Sequence, residues 1–285
     1  MRIVSFFDSA TCTYSHLIVD PASARCAIVD PVLDYDPAAA RIGHDGADRL
    51  IGYIRQQGLE VDWLLETHVH ADHLSAAHYL RDRLGGRLGI GAGIPQVQET
   101  FGELFDAEAD FPRDGSQFDR LFADGERFRI GTLDVEVLHT PGHTPACITY
   151  RVGDAAFVGD TLFMPDSGTA RCDFPGGDPR QLYRSIRRLF ELPDETRLFL
   201  CHDYKAPGRE RYCGETSVGE QRAHNIHVGQ AMSEDAFVAL RSQRDQGLEM
   251  PRLLLPAVQV NMRAGELPPP AANGRRYLKL PLDCF

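Results

Sequence analysis

The sequence predicts an α/β fold in which sheets pack face to face and helices cover them on the outside. Three observations carry this. Short apolar runs of strand length alternate with segments of helical spacing along most of the chain. No linker divides the 285 residues. A chain of that length with 43% hydrophobic residues can bury a substantial core, and strands that run into helices favour layered packing.

Taken in order, residues 3–7 are strand-like. Residues 13–19 and 25–29 form a meander across the turn Asp20-Pro21-Ala22-Ser23, and Asp30-Pro31 closes the second run. Residues 45–57 have helical spacing, with Leu50, Ile51 and Ile54 on one side and Gly58 as the stop. Residues 61–66 suit a buried strand. Residues 71–84 read as a helix ending at Gly85-Gly86, 87–90 as a strand and 95–105 as a helix. Residues 106–119 are polar and acidic, contain Pro112 and Gly115, and read as an insertion loop. The β pattern returns over 126–158, with turns at Gly131 and Gly153-Asp154. Residues 178–192 form an amphipathic helix, 197–201 a strand, and 217–247 are mostly helical. The end, with Pro268-Pro269-Pro270, is expected to wrap the surface.

The formal net charge of -11 disfavours non-specific nucleic-acid binding, while leaving room for a local basic pocket. No apolar run approaches the ~20 residues that span a bilayer. The first ten residues lack the long apolar centre of a secretory signal, so a cytoplasmic protein is expected. Seven scattered cysteines form no CxxC pair, which argues against a disulfide framework and a zinc knuckle.

The chemistry concentrates in His68-Val69-His70-Ala71-Asp72-His73. With 11 histidines in 285 residues, three within six positions is far from chance. The run follows a strand, so His68 and His70 can point the same way, with Asp72 and His73 facing the same cavity. Imidazole suits zinc and iron, and two ions ~3.5–4 Å apart could form here. His139-Thr140-Pro141-Gly142-His143-Thr144 is a tight turn in which His143 is the better ligand and His139 holds the loop. Asp160 follows the strand-like 155–158. Alone it reads as a turn cap; beside the histidine motifs it reads as a ligand. His202, in Cys201-His202-Asp203, is a second-site candidate.

HxHxDH, the Gly-His-Thr turn, Gly-Asp after a strand and a late strand-end His, in that order, resemble the metallo-β-lactamase superfamily. The resemblance implies an αββα sandwich: one domain over 1–285 with a C-terminal helical and proline-rich extension. Metal would sit at one edge, on the loops that join strands. It does not fix the reaction.

Further residues resemble the persulfide dioxygenases of the ethylmalonic encephalopathy protein type. They are the run from Glu66 to His73, Thr161-Leu162, Gly168, Arg171-Cys172-Asp173-Phe174, His202-Asp203-Tyr204 and Asn261-Met262-Arg263. The likeness spans roughly residues 12 to 265. It implies one Fe(II) per chain, held by His68, His143 and Asp160, and oxidation of glutathione persulfide by O₂ to sulfite and thiol. His70 and Asp72 would then orient ligands and water, and relatives suggest a homodimer. Arg171 could bind a glutathione carboxylate or pair with Asp173 to brace its loop. Tyr204 could donate to the persulfide or simply pack. Cys172 and Cys201 favour packing, and Lys205, Arg209 and Arg211 form either an anion-attracting patch or a solvated loop.

Two departures bear on the substrate mouth: the 106–119 insertion, and extra residues around Pro165-Asp166. No rhodanese-like or flavin domain is visible, so sulfur transfer would need a separate protein. The competing reading keeps all the ligands. A glyoxalase II-like thioesterase would fill both sites with Zn(II), two per chain, using His70, Asp72, His73 and His202 for the second.

Overall fold

The structure is a computed structural model and describes residues 1–229 and 232–284. Its first half contains strands β1 (Arg2–Asp8), β2 (Thr13–Asp20), β3 (Arg25–Val29), β4 (Val32–Asp36), β5 (Arg41–Gly43), β6 (Glu60–Leu65), β7 (Leu74–Ser75), β8 (Arg87–Gly91) and β9 (Arg120–Phe122). Between them lie helices α1 (Asp45–Gln56), α2 (Ala77–Leu84) and α3 (Ile94–Leu104). The second half contains β10 (Arg127–Ile130), β11 (Leu133–His139), β12 (Ile148–Val152), β13 (Ala155–Phe157), β14 (Arg197–Phe199) and β15 (Glu215–Ser217). Its helices are α4 (Pro179–Leu189), α5 (Val218–His224), α6 (Glu234–Asp245) and α7 (Leu254–Asn261).

Two six-stranded sheets result, ordered β1-β2-β3-β6-β8-β9 and β10-β11-β12-β13-β14-β15. Side-chain alternation sorts each strand between two cores. Ile18, Ala27, Val29, Trp63 and Leu65 meet Val135, Val137, Tyr150, Phe157 and Phe199 between the sheets. Their neighbours Leu17, Val19, Ile28 and Leu64 face outward onto α1, α2, α3 and α7. Ala156, Val158, Leu198 and Leu200 face Leu182, Ile186 and Phe237 of α4 and α6. The layers therefore run helix, sheet, sheet, helix, in the metallo-β-lactamase αββα arrangement. All eight residues of β2 are buried, as a strand covered on both faces requires.

Local chemistry starts the outer helices. Asp178 caps α4 by accepting from Arg180 N and Gln181 N, ahead of Pro179 at its first position. Ser217 and Ser233 accept from Glu220 N and Ala236 N to cap α5 and α6.

Several elements depart from the sequence reading. The helix expected from residue 71 begins at Ala77, because 71–73 bends and Leu74–Ser75 pairs with β4. The Asn261 side chain holds that backbone, donating to the carbonyls of His70 and His73 at 2.8 Å each and accepting from Ser75 N at 2.7 Å. A small sheet ordered β5-β4-β7 was not expected, since its strands are short. Residues 217–247 resolve into two helices, α5 and α6; Gln230 and Ala231, within that range, lie outside the described residues. Helix α7 has no counterpart in the sequence reading. Pro251 and Pro256 mask it, yet Leu254, Ala257, Val258 and Val260 are buried in the first core. Residues 106–119 carry no helix or strand, as an insertion loop should. Among the described residues no helix is long and apolar enough to cross a membrane.

Candidate metal centre

The strand ends deliver the site. Strands β3, β6 and β8 run parallel, as do β13 and β14, so the residues just past them emerge at one edge. The sheets are tied there: Tyr14 N donates to Cys201 O at 2.7 Å, and Ile148 N to Thr67 O at 3.0 Å.

Asp30 anchors the histidine run. It accepts from Thr67 N at 2.7 Å and Thr67 Oγ1 at 2.9 Å, and lies 3.0 Å from His70 Nε2. Thr67 Oγ1 also meets His68 Nδ1 at 3.0 Å, which turns His68 Nε2 inward. A Cβ at Gly159, whose φ is +52°, would lie 2.5 Å from Thr67 Oγ1, so glycine lets the Asp160 turn approach. Gly142 serves the His143 turn likewise: φ is +142°, and a Cβ would lie 2.3 Å from the Leu182 backbone. His143 Nδ1 donates to the Arg171 carbonyl at 2.8 Å, leaving Nε2 as a free ligand atom. His139 Nε2 meets Pro145 O at 3.1 Å within the turn.

Two ligand sets converge. His68, His143 and Asp160 present atoms that all lie within 4.8 Å of one another; so do His70, Asp72, His73 and His202. Asp160 Oδ2 is 3.8 Å from His68 Nε2 and 3.6 Å from His143 Nε2. Its other oxygen, Oδ1, lies 3.4 Å from His202 Nε2. His202 Nδ1 is engaged by Thr13 Oγ1 at 3.1 Å. Asp72 is already engaged on both oxygens. Oδ1 faces His73 Nδ1 at 3.3 Å, and Oδ2 accepts from the Tyr204 hydroxyl at 3.2 Å and lies 3.1 Å from His202 Nε2.

Burial, reinforced by the neighbouring imidazoles, pushes the His68 pKa well down. Burial also lowers that of His143 against the opposing Arg171 carbonyl. Both rings are thus in the neutral form that binds metal. His70 is the opposite case: burial works to lower its pKa, but Asp30 and Glu66 raise it well above the usual range. Burial, with Asp72 close by, lifts the Asp160 carboxyl to about 6. A buried carboxylate so placed calls for a cation.

The donor set fits a metal ion. His68 Nε2, His73 Nε2, His202 Nε2 and Asp160 Oδ1 are buried without a hydrogen-bond partner. Buried polar atoms are rarely left so, and such atoms in both ligand sets match the needs of a transition-metal ion.

Above the ligands opens a cavity of about 720 Å³, lined by His143, Asp160 and Tyr204 among others. Tyr204 is half-exposed and stacks on His202, ring centroids 5.6 Å apart. Arg171 forms two bonds to Asp173, at 2.6 and 2.7 Å, and donates to the Glu249 carbonyl at 2.7 Å. Cys172 and Cys201 are buried, with burial pushing both thiols up. Arg209 pairs with Asp166 and Asp203, and Lys205 lies over the Tyr212 ring.

The sequence did not single out Asp30, which reads as the turn former before Pro31. The available signal was its place at a strand end beside the strand that delivers Glu66. Nor did it single out the buried Arg241–Asp245 pair, at 2.7 Å, whose spacing looks like any surface helix pair.

Residues 13–202 match the family model described as "Metallo-beta-lactamase superfamily". The chain is 55% identical to a probable metallo-hydrolase of Burkholderia pseudomallei (strain 1710b), over the whole of both proteins. It is 51% identical to a beta-lactamase hydrolase-like protein of Agrobacterium fabrum, with 99% of this chain covered but only 65% of that longer protein. It is 30% identical to the mitochondrial persulfide dioxygenase of Homo sapiens, over 93% of this chain and 89% of that one. Among solved structures, ETHE1 from Myxococcus xanthus superposes with a TM-score of 0.74 at 31% identity, covering 93% of this chain and 100% of that one.

Proposed function

The chain belongs to the metallo-β-lactamase superfamily, and on that premise we propose that it is an iron-dependent persulfide dioxygenase. Its substrate is a thiol persulfide of the glutathione class. The net reaction joins one persulfide, one O₂ and one water, and yields one thiol and one sulfite. The observation that carries the reading is the engagement of Asp72. Tyr204 donates to one Asp72 oxygen and His73 faces the other, which competes with the use of Asp72 as a ligand for a second ion. His68 Nε2 and Asp160 Oδ1 have no hydrogen-bond partner, and the Arg171 carbonyl turns His143 Nε2 inward. These three residues would hold one Fe(II) as a two-histidine, one-carboxylate face, and that ion would supply open positions where O₂ and a sulfur anion meet. The 30% identity to the human persulfide dioxygenase supports the same branch.

The chain's own groups then have definite tasks. Asp30 and Glu66 fix the His70 ring beside the site. Asp72 holds the Tyr204 hydroxyl on the cavity wall, where it can turn to donate a proton to the departing thiol sulfur. The Arg171–Asp173 pair gives the substrate a rigid wall, and carries the carbonyl that orients His143.

The second reading is a dinuclear zinc hydrolase acting on a glutathione thioester. The placement of Asp160 favours it: one oxygen faces each ligand set, as a bridging carboxylate would. The probable metallo-hydrolase relative at 55% identity points the same way. Metal analysis paired with two assays tests the proposal. One iron per chain with O₂ uptake on glutathione persulfide is expected. Two zinc ions per chain with thioester cleavage and no O₂ uptake would overturn it.

A further inference from the structure

Arginines on the wall of the cavity fall into two kinds. Arg171 and Arg241 are tied to carboxylates of the protein, Asp173 at 2.6 Å and Asp245 at 2.7 Å. Arg244 and Arg252 also line the cavity, and both are exposed. Among the described residues, no ion pair or side-chain hydrogen bond engages either one. The acidic wall residue Asp166 is not available to them, because Arg209 holds it at 2.7 Å. Both guanidinium groups at this mouth are therefore free to meet an anion.

Arg241 and Arg244 lie three residues apart on α6, so the buried Arg241–Asp245 pair fixes the helix turn from which Arg244 projects. Arg252 follows Pro251, whose ring restricts the backbone there. Between and around them the mouth exposes Ile226 at 54% and Leu248 at 44%. The metal ligands His143 and Asp160 lie on the same cavity, whose volume of about 720 Å³ is within the usual range for a small-molecule site. A ligand that carries a sulfur for the ligand set, an amide and aliphatic body, and carboxylates matches the kinds of surface that line this cavity.

The geometry points to Arg244 and Arg252 as a carboxylate-recognition subsite that selects an acidic peptide thiol. Each guanidinium offers a planar fork of donors suited to a carboxylate. The tie of Arg171 to Asp173 leaves this task to the outer pair. The inference rests on the cavity being the substrate site, as proposed above, but not on which of the two reactions occurs there.

Binding tests it without turnover. S-methylglutathione, which has no persulfide to oxidise and no thioester to cleave, is titrated calorimetrically into the metal-loaded protein. Arg244→Ala and Arg252→Ala are each expected to weaken binding roughly tenfold, and the double variant more than either. The diethyl ester of the same ligand should bind wild type weakly and be indifferent to both substitutions. Circular dichroism and melting of each variant show that the fold is intact. Wild-type affinity in both variants would overturn the inference. So would equal binding of acid and diester, or tighter binding of the phosphate-bearing coenzyme A than of S-methylglutathione. Arginine-dependent binding without O₂ uptake on glutathione persulfide would leave this subsite standing and refute the dioxygenase reading.

Discussion

Replacing Asp245 by alanine removes the counter-charge of a guanidinium that water cannot reach. Arg241 is 2% exposed, and Asp245 Oδ1 accepts from its Nε at 2.9 Å and lies 2.7 Å from a terminal nitrogen. Asp245 Oδ2 also accepts from Cys172 N at 3.0 Å. An uncompensated buried charge costs about 3–5 kcal/mol, and the orphaned amide about 1 kcal/mol more. With a urea m-value of about 3 kcal/mol/M, the midpoint should fall by more than about 1 M. The double variant Arg241→Met, Asp245→Leu leaves no buried charge and should recover most of the loss. A second effect is local. Cys172 follows the residue whose carbonyl orients His143, so Asp245→Ala should weaken metal binding about tenfold. Urea unfolding of the three proteins, with metal titration of each, provides the readings. A loss below about 1 kcal/mol in Asp245→Ala, or a double variant as unstable as the single, would refute the reasoning.

Other perturbations have outcomes as definite. Asp160→Ala should lose metal and activity together, and retention of wild-type metal occupancy would exclude Asp160 as a ligand. Asn261→Ala frees the carbonyls of His70 and His73 and the amide of Ser75, and should cost about 2–4 kcal/mol in thermal or urea unfolding. Burial, then the charges of Arg241 and Arg244, lowers the His227 pKa to about 4. The unfolded chain, with a histidine near ~6.5, therefore binds a proton that the folded chain refuses between those values. Stability should fall as pH drops through that window, by up to about 3 kcal/mol, and stay flat above it. His227→Asn keeps an acceptor for Thr169 N and should remove that slope, and an unchanged profile would show that His227 is not its source.

Much of the layer order was legible because alternation and helical spacing are local signals. Residues 25–29 and 45–57 already display the faces that the cores use. Strands β5, β9 and β15 were not legible, since three residues are too few to display an alternation. Helix α7 was hidden by its prolines, although its apolar faces bury well. The ligands were legible because histidines clustered in sequence mark chemistry directly. The residues that aim them were not. Asp30, Thr13 and Asn261 act through hydrogen bonds over 37 to 191 positions, and their residue types look like turns and caps. Arg171 could be read two ways from sequence, and only geometry shows Asp173 and Glu249 around it.

The most direct test of the proposed reaction counts O₂ against sulfite. Iron-loaded protein receives a limiting amount of glutathione persulfide in an oxygen-electrode cell, and sulfite and free glutathione are quantified at the end. One O₂ consumed and one sulfite formed per persulfide is the predicted result, lost in Asp160→Ala. Absence of O₂ uptake, with the zinc-loaded protein cleaving a glutathione thioester at two metal ions per chain, would contradict it.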